Sequence, residues 1–457
     1  MSLFQSVNPA TGEALAHFDA IGDDAIEGVL AAGDRAYRTW GSKPIADRAA
    51  VVARAAELFT ARRDELARLA TLEMGKPLAE SVEEVEFAAA IFDYYAKQGA
   101  RLVADQPLVT ASGDEAYIQR LPIGLLLGIM PWNFPFYQAA RFVAPNLVLG
   151  NTIVLKHATS VPQCALALAS LLADAGVPGE VYQNLFASHE QLEGVVADRR
   201  VRGVSLTGSE RAGAAVAATA GRHLKKVVLE LGGSDPYIVL DSDDVAKSAR
   251  EAWEARNYNV GQACNSNKRI IVSEDIFDGF VAALTEQARG LTPGDPLDLA
   301  EGSYAPLSSR GAAETLHELV ADAVAKGATL HAGGELGADG SAYFAPAVLT
   351  GITEEMRAYR EELFGPVAVV YSVASDEEAL RLANDSEFGL GGAVFSTDRE
   401  RAVRVASRLE TGMANVNTWA GEGAEVPFGG VKRSGFGREL GPLGMDEFVN
   451  KRLFYVA

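Results

Sequence analysis

Residues 123–158 read IGLLLGIMPWNFPFYQAARFVAPNLVLGNTIVLKHA. The apolar run Ile123–Met130 is short, carries two glycines and stops at Pro131, which predicts a strand. Tyr137–Leu149 predicts a helix and Thr152–Lys156 a second strand. Strand, helix and strand joined in this way make the crossover unit of a parallel sheet.

The alternation continues downstream. A helix is expected over Ser160–Ala175, capped by Ser160, ended by Gly176 and followed by Pro178. Strands follow near Tyr182–Leu185 and Gly203–Leu206, then a helix over Glu210–Ala220 and a strand over Lys226–Leu231. A second series runs from Ile238 to Val416, with helices Ile276–Arg289 and Ala312–Lys326 and the strand Ala368–Val373. The expected fold class is therefore α/β, with two lobes on doubly wound parallel sheets. Upstream, Asp23–Lys97 is Ala-rich with apolar residues at three and four spacing, a helical opening segment. From Ala104 to Tyr117 the composition turns to Pro, Val, Thr, Ser and Gly, an extended stretch leaving the compact body as an arm. Gly421–Gly437 is rich in glycine and leads to a closing extended segment, Glu447–Val456.

Composition excludes several classes. The formal net charge is −20, from 41 basic and 61 acidic residues, and no dense basic run exists to track phosphates, so no nucleic-acid partner is expected. The start lacks the basic and apolar regions of a signal peptide, and Leu121–Met130 is too short to span a bilayer. A cytoplasmic protein without a membrane partner is expected. Two cysteines in 457 residues cannot build a disulfide framework, and the six histidines are scattered, so no metal is expected.

Of the two cysteines, Cys164 sits on an apolar helix face and reads as core. Cys264 lies in a turn, Gly261-Gln262-Ala263-Cys264-Asn265, among polar neighbours; a buried hydrophobe and a reactive thiol are both open to it. Glu230 ends an apolar strand before Gly232 and Gly233, facing the ligand crevice or paired with Lys225. Pro131-Trp132-Asn133-Phe134-Pro135 is either a rigid aromatic turn or the mount for an oxyanion-holding amide. Thr207-Gly208-Ser209 opens a helix after a strand and offers a pyrophosphate site, without the usual glycine fingerprint.

Taken together and in this order, the segments resemble the aldehyde dehydrogenase superfamily over essentially the whole chain. The motifs are PWNFP from Pro131, TGS from Thr207, ELGG from Glu230, GQAC ending at Cys264, EELFGP over Glu361–Pro366 and PFGGVKRSGFGRE over Pro427–Glu439. The resemblance implies the aldehyde dehydrogenase fold: a Rossmann-like NAD(P)-binding domain over 1–103 and 122–231, an α/β catalytic domain over 232–432, and a β oligomerisation element over 104–121 and 433–457. It implies that Cys264 attacks the aldehyde carbon, that the Asn133 amide and the Cys264 backbone N–H hold the oxyanion, and that, after hydride transfer to the nicotinamide, Glu230 activates the water that hydrolyses the thioester. It places the cofactor on Trp132, Lys156, Thr159, Gly208, Ser209, Gly232, Glu362 and Phe364, and the substrate near Arg141, Gln138, Tyr258, Glu422 and Phe428.

NAD-preferring members of that family often carry a Glu three residues after the lysine. Here Thr159 holds that position, so NADP use at least comparable to NAD is expected. The likeness is closest to bacterial succinate-semialdehyde dehydrogenases, in KHA at Lys156, ELGGSDP over Glu230–Pro236 and NDSEFGL over Asn384–Leu390. Arg141 then falls where such enzymes place an arginine against a distal carboxylate, a role suited to a bidentate guanidinium; a surface arginine is the other possibility. Tyr258 stands where some relatives have a second arginine. Glu422 would repel a carboxylate or pair with Arg141, which keeps another small aliphatic or amino-aldehyde open. A non-catalytic structural relative would not need to retain Cys264, Glu230, Asn133, Lys156 and Glu362 together; a CoA-acylating enzyme would not need Glu230, and a plain cysteine hydrolase would have no use for Lys156 and Glu362. A homodimer or homotetramer is expected, because an arm with open strand edges needs a partner.

Overall fold

The computed structural model describes residues 4–337, 340–421 and 423–457. The helical opening consists of Asp23–Trp40, Ile45–Ala61, Arg63–Met74 and Leu78–Leu102. Leu78–Leu102 lies against both Ile45–Ala61 and Pro135–Leu149, and their apolar faces join the largest core cluster around Phe59, Phe92 and Phe136.

That core covers one face of a six-stranded sheet. Its parallel strands lie in the order Lys226–Glu230, Val201–Thr207, Leu125–Met130, Thr152–His157 and Tyr182–Asn184. The chain moves outward from Leu125–Met130 through two strands, then returns to the other side of it for the remaining two. The reversal makes a switch point between Leu125–Met130 and Val201–Thr207, where ligands bind beyond the carboxyl ends of strands. Leu125, Leu126 and Leu127 are all fully buried because this sheet is covered on both faces, which is why the run reads as unbroken apolar sequence.

A seven-stranded sheet follows. Its parallel members run, from one side, Ala347–Thr350, Val367–Val373, Arg269–Ser273, Pro236–Val239, Ala393–Phe395 and Asn415–Val416, with Thr329–Ala332 antiparallel at the edge. A third sheet is antiparallel, Val449–Val456 beside Glu115–Pro122 beside Gln106–Leu108. No described helix is long and apolar enough to cross a membrane.

Two details differ from the sequence reading. The helix expected from Ser160 begins at Pro162, with Val161 at its cap and no capping side chain, because proline at the first helical position presets the backbone and has no N–H to satisfy. The segment 433–457 is divided: Gly435–Phe436 pairs antiparallel with Lys226–Glu230 and extends the six-stranded sheet, and Val449–Val456 belongs to the arm.

Candidate active site

The two loops leaving the switch point, Pro131–Phe134 and Gly208–Ser209, wall a cavity of about 280 Å³ whose other sides are Leu231, Gly232, Cys264, Glu362 and Phe364. Ser209 caps the helix Glu210–Arg222, its Oγ accepting from the Ala212 N–H at 3.3 Å. Trp132 and Phe364 meet edge to face with centroids 5.8 Å apart.

Cys264 is half-buried in a turn between the helix Val245–Asn257 and the strand Arg269–Ser273. The approach to it is strained: Asn259 and Val260 both have φ of 56°, a region costly for side chains with a Cβ and worse for a β-branched one. Hydrogen bonds hold them there. The Asn259 N–H donates to Glu80 Oε2 at 2.8 Å, and Asn259 Nδ2 donates to the carbonyls of Asn133 and Gln262 at 3.1 and 3.0 Å. Asn133 Nδ2 donates to the Gln262 carbonyl at 2.9 Å, which fixes the amide and leaves a second N–H on the same nitrogen. The Lys76 ammonium reaches the Asn133 carbonyl and is ion-paired with buried Glu84, whose Oε1 accepts from the Phe136 and Tyr137 N–H groups.

Behind the turn, Arg256 is fully buried and donates to the carbonyls of Val367, Leu363, Gly365 and Gly261 and to Ser266 Oγ. Its acceptors are carbonyls and a hydroxyl, and burial draws its guanidinium down to about 9. Lys268 donates to the carbonyls of Ala263 and Cys264 at 2.7 and 2.8 Å and pairs with Glu362 at 3.0 Å. Glu362 Oε1 also accepts from the Gly233 N–H at 3.0 Å. The ELGG motif has a steric cause at this point: a Cβ on Gly232 would lie 2.5 Å from Glu362 Oε2, and one on Gly233 would lie 2.3 Å from the Cys264 carbonyl oxygen.

Burial pushes the Cys264 thiol up to about 12; Arg141 and Lys268 act to lower it, and Glu230 and Glu362 to raise it. Glu230 is almost wholly buried, and its two carboxylate oxygens have no hydrogen-bond partner among the described residues. Lys225 is not its partner, since that ammonium is bonded to the Asp198 carbonyl. The Glu230 carboxyl lies against Gly429, where a Cβ would come within 2.6 Å of Oε1. Burial holds it well above the carboxylate range and the charge of Glu439 adds to this, while Arg141 and Arg438 oppose it.

Arg141 is not a surface residue. Its side chain is completely enclosed, paired with Glu439 at 2.7 Å, bonded to Gln138 Oε1 and lying between the Tyr137 and Phe428 rings. The expectation that it faces the substrate directly is therefore modified: a buried guanidinium needs a carboxylate partner, and Glu439 fills that place. What the pocket meets instead is Tyr137 and Gln138, held by Arg141 from behind.

That pocket is a second cavity of about 370 Å³ on the other side of Cys264. Six aromatic residues line it, Phe87, Phe134, Tyr137, Tyr258, Trp419 and Phe428. Cys264 and Gln138 border both cavities. Glu422 lies outside the described residues, so its expected place at this pocket has no structural counterpart.

Lys156 and Thr159 stand apart from both cavity walls. Lys156 is buried at the end of Thr152–His157, in register with Ile129 just before the Pro131 loop, and burial lowers its ammonium to about 8. His189 is held below its ordinary value chiefly by the Lys156 charge, then by burial and Arg211, with Glu190 opposing them. Cys164 is buried in the helix Pro162–Asp174, its thiol raised well above the usual range by burial.

Sequence reasoning missed Lys268, Arg256, Glu80 and the Lys76–Glu84 pair, and gave Glu439 no role. Lys268 sits between Asn267 and Arg269, and Glu84 within a helix full of glutamates, so nothing in the local pattern distinguishes them from solvated charges.

The family model for the aldehyde dehydrogenase family matches residues 2–453. A succinate-semialdehyde dehydrogenase [NADP(+)] of Deinococcus radiodurans is 52% identical over 450 residues, 98% of this chain and 94% of that protein. The Escherichia coli succinate semialdehyde dehydrogenase [NAD(P)+] Sad is 42% identical over 97% of this chain and 96% of its own length. A crystal structure of succinic semialdehyde dehydrogenase from Streptococcus pyogenes in complex with NADP+ superposes with a TM-score of 0.96, at 41% identity and 99% coverage of both chains.

Proposed function

The chain belongs to the aldehyde dehydrogenase family, and we propose that it oxidises succinate semialdehyde to succinate with NADP or NAD. One arrangement supports this most directly: the thiol of Cys264 stands where a crevice at a switch point meets a separate aromatic pocket.

The residues lining the crevice fit a dinucleotide. Trp132, Phe364 and Glu362 would hold the nicotinamide and its ribose, Gly208 and Ser209 the pyrophosphate, and Gly232 the close approach; Lys156, at the end of the neighbouring strand, and Thr159 lie beyond the crevice wall and would take the adenosine ribose. The basic side chains of Lys156 and Arg211 beside a neutral Thr159 suit an additional phosphate, which supports NADP. The bound nicotinamide supplies the hydride acceptor.

The protein's own groups do the rest. The thiol of Cys264 gives up its proton to water and the thiolate sulfur bonds to the aldehyde carbon, whose C=O π pair moves onto the oxygen; Arg141 and Lys268 favour the thiolate. The remaining N–H of Asn133 Nδ2 and the Cys264 N–H hold the oxyanion, in an amide already locked by Gln262. Glu230 takes a proton from the water that cleaves the thioester, and its pKa, raised by burial well above the usual carboxylate range, makes it a stronger base for that step than an exposed carboxylate. The distal carboxylate is met by Tyr137 and Gln138, with the Arg141 charge behind them.

Steady-state rates with succinate semialdehyde, butanal and an amino-aldehyde test the substrate. Succinate semialdehyde should lead in kcat/KM by about tenfold, or 1.4 kcal/mol, and parity among the three would overturn the reading. Free succinate should form without CoA. Arg141→Ala should raise KM for the carboxylate substrate more than for butanal. It should also cost about 3 kcal/mol of stability in urea, because Glu439 is left buried and unpaired.

The same reading includes a homodimer or a homotetramer of dimers. Leu108, Val109, Leu453, Phe454 and Tyr455 are exposed on the three-stranded arm, whose outer strands have open edges. Light scattering should give a multiple of the chain mass of 48.3 kDa.

A further inference from the structure

The Lys268 ammonium touches two functional parts of the site at once. It holds the carbonyls of Ala263 and Cys264, so it fixes the backbone that carries the thiol, and it is paired with Glu362, which faces the cofactor crevice. Its side chain is only 1% exposed, whereas that of Glu362 is 20% exposed and open to a ligand. An ammonium so enclosed must keep its partners, and anything that draws on one of them is felt by the others.

We propose that Lys268 is a positioning residue that couples occupancy of the cofactor crevice at Glu362 to the reactivity of the Cys264 thiol. In the structure, Glu362 is held by Lys268 and the Gly233 N–H. A ribose hydroxyl bonded to Glu362 draws on the same carboxylate and leaves more of the Lys268 charge to the Cys264 loop. Two further contacts support a linked pair of loops. Lys268 lies 5.7 Å from the centre of the Phe364 ring, and Arg256 ties the carbonyls of Leu363 and Gly365, which flank Phe364, to Gly261 in the thiol loop.

Charge makes the idea directional. The groups acting on Cys264 are Lys268 and Arg141, which favour the thiolate, and Glu230 and Glu362, which oppose it; the Tyr137 hydroxyl also lies within their field. Removing either end of the Lys268–Glu362 pair should therefore move the thiol in opposite directions. Damage to packing would move both variants the same way.

The proposal rests on Glu362 as a cofactor contact and makes no use of the substrate's identity. Its main test uses cofactor-free protein. The rate of Cys264 alkylation by iodoacetamide is measured from pH 6 to 10 in the parent protein, Lys268→Met and Glu362→Gln, with thermal melts as the folding control. Lys268→Met should be slowed about threefold or more at neutral pH and Glu362→Gln accelerated by a similar factor, equivalent to about half a pH unit in the thiol's titration. Changes of the same sign, or none, overturn the proposal. Should Lys268→Met fail to fold, Lys268→Gln replaces it, and Glu362→Gln alone still decides, because slowed or unchanged alkylation contradicts the proposal. NADP titrations followed by intrinsic fluorescence give a second readout. NADP should change the alkylation rate of the parent protein, and in Lys268→Met that response should be lost and NADP should bind several-fold more weakly. An unchanged NADP response in Lys268→Met overturns the coupling, whereas a protein that binds no NADP but keeps the opposite alkylation shifts would overturn the cofactor reading instead.

Discussion

On one side of Cys264 the cavity walls come from the ends of parallel strands and from short loops pinned by buried hydrogen bonds; on the other they come from six aromatic side chains on helices, a turn and the loop around Trp419. The cofactor side depends on backbone: Gly232 and Gly233 leave no room for a Cβ, and Asn133, Glu362 and Lys268 are locked through carbonyls and N–H groups. The substrate side depends on side chains, which can change identity without moving the chain. A scaffold divided in this way can keep one chemistry while its aldehyde changes, because the groups that carry the chemistry belong to the rigid half.

The largest effect should come from the residue the two sides share. Cys264→Ser should lower kcat by about 10³-fold or more, since a serine hydroxyl is far less nucleophilic than a thiol. NADP binding, followed by fluorescence, should persist, because serine is close to cysteine in size and the rest of the crevice wall is unchanged. Loss of both would show that the two cavities are not separable.

Glu230→Gln comes next. It should reduce the steady-state rate by about 10²-fold by removing the general base, while a burst of NADPH equal to the enzyme concentration remains, since formation of the thioester precedes the need for Glu230. A stability effect of the opposite sense accompanies it. The folded-state pKa of Glu230 lies above its unfolded value, so the parent protein loses stability as pH rises from that unfolded value toward the folded one. Glutamine has no such loss. Thermal melts should therefore show Glu230→Gln gaining on the parent protein at pH 8 relative to pH 5; a constant difference would mean that the carboxyl is not held protonated in the folded state.

The same division explains what could be read in the sequence. A residue such as Gly233 stands in a motif because a Cβ there would meet the Cys264 carbonyl oxygen, so the parallel sheets and the thiol turn were legible in the sequence, whereas Lys156 and Thr159, expected with the crevice, do not line it. The substrate pocket was legible only in part. Phe87 and Trp419 are ordinary aromatics in the sequence, and only the fold brings them near Phe428. Arg141 was found as a residue but not with its partner, because Glu439 lies almost three hundred residues away and reaches it through the antiparallel return of the chain beside Lys226–Glu230. The Ser160 cap failed for a local reason, as Pro162 already sets the start of that helix.

A change confined to the cofactor side should leave the aldehyde unaffected. Thr159→Glu puts a carboxylate beside the basic cluster at Lys156 and should shift the NADP to NAD ratio of kcat/KM toward NAD by about tenfold, or 1.4 kcal/mol. KM for succinate semialdehyde should stay constant; a change there would show that the two halves communicate at longer range than the contacts at Cys264.

The smallest effect should come from the other cysteine, which belongs to neither half. Cys164 lies on the buried face of the helix Pro162–Asp174 with its N–H on Glu73 Oε2 at 2.9 Å, and its thiol is raised well above the usual range by burial. Cys164→Ala keeps that backbone bond and loses a small buried side chain with its thiol's hydrogen bond to Glu73, at about 1 kcal/mol of stability. Activity and cofactor preference should remain within about twofold, which is within 0.4 kcal/mol. Native parent protein should take up a single iodoacetamide per chain, as should Cys164→Ala, with the same rate and the same pH dependence. A second fast-reacting thiol in the parent protein that disappears in Cys164→Ala would show that the core around Phe59 and Phe92 opens on the timescale of the assay. The reactivity of Cys264 could then no longer be credited to its place between the two cavities alone.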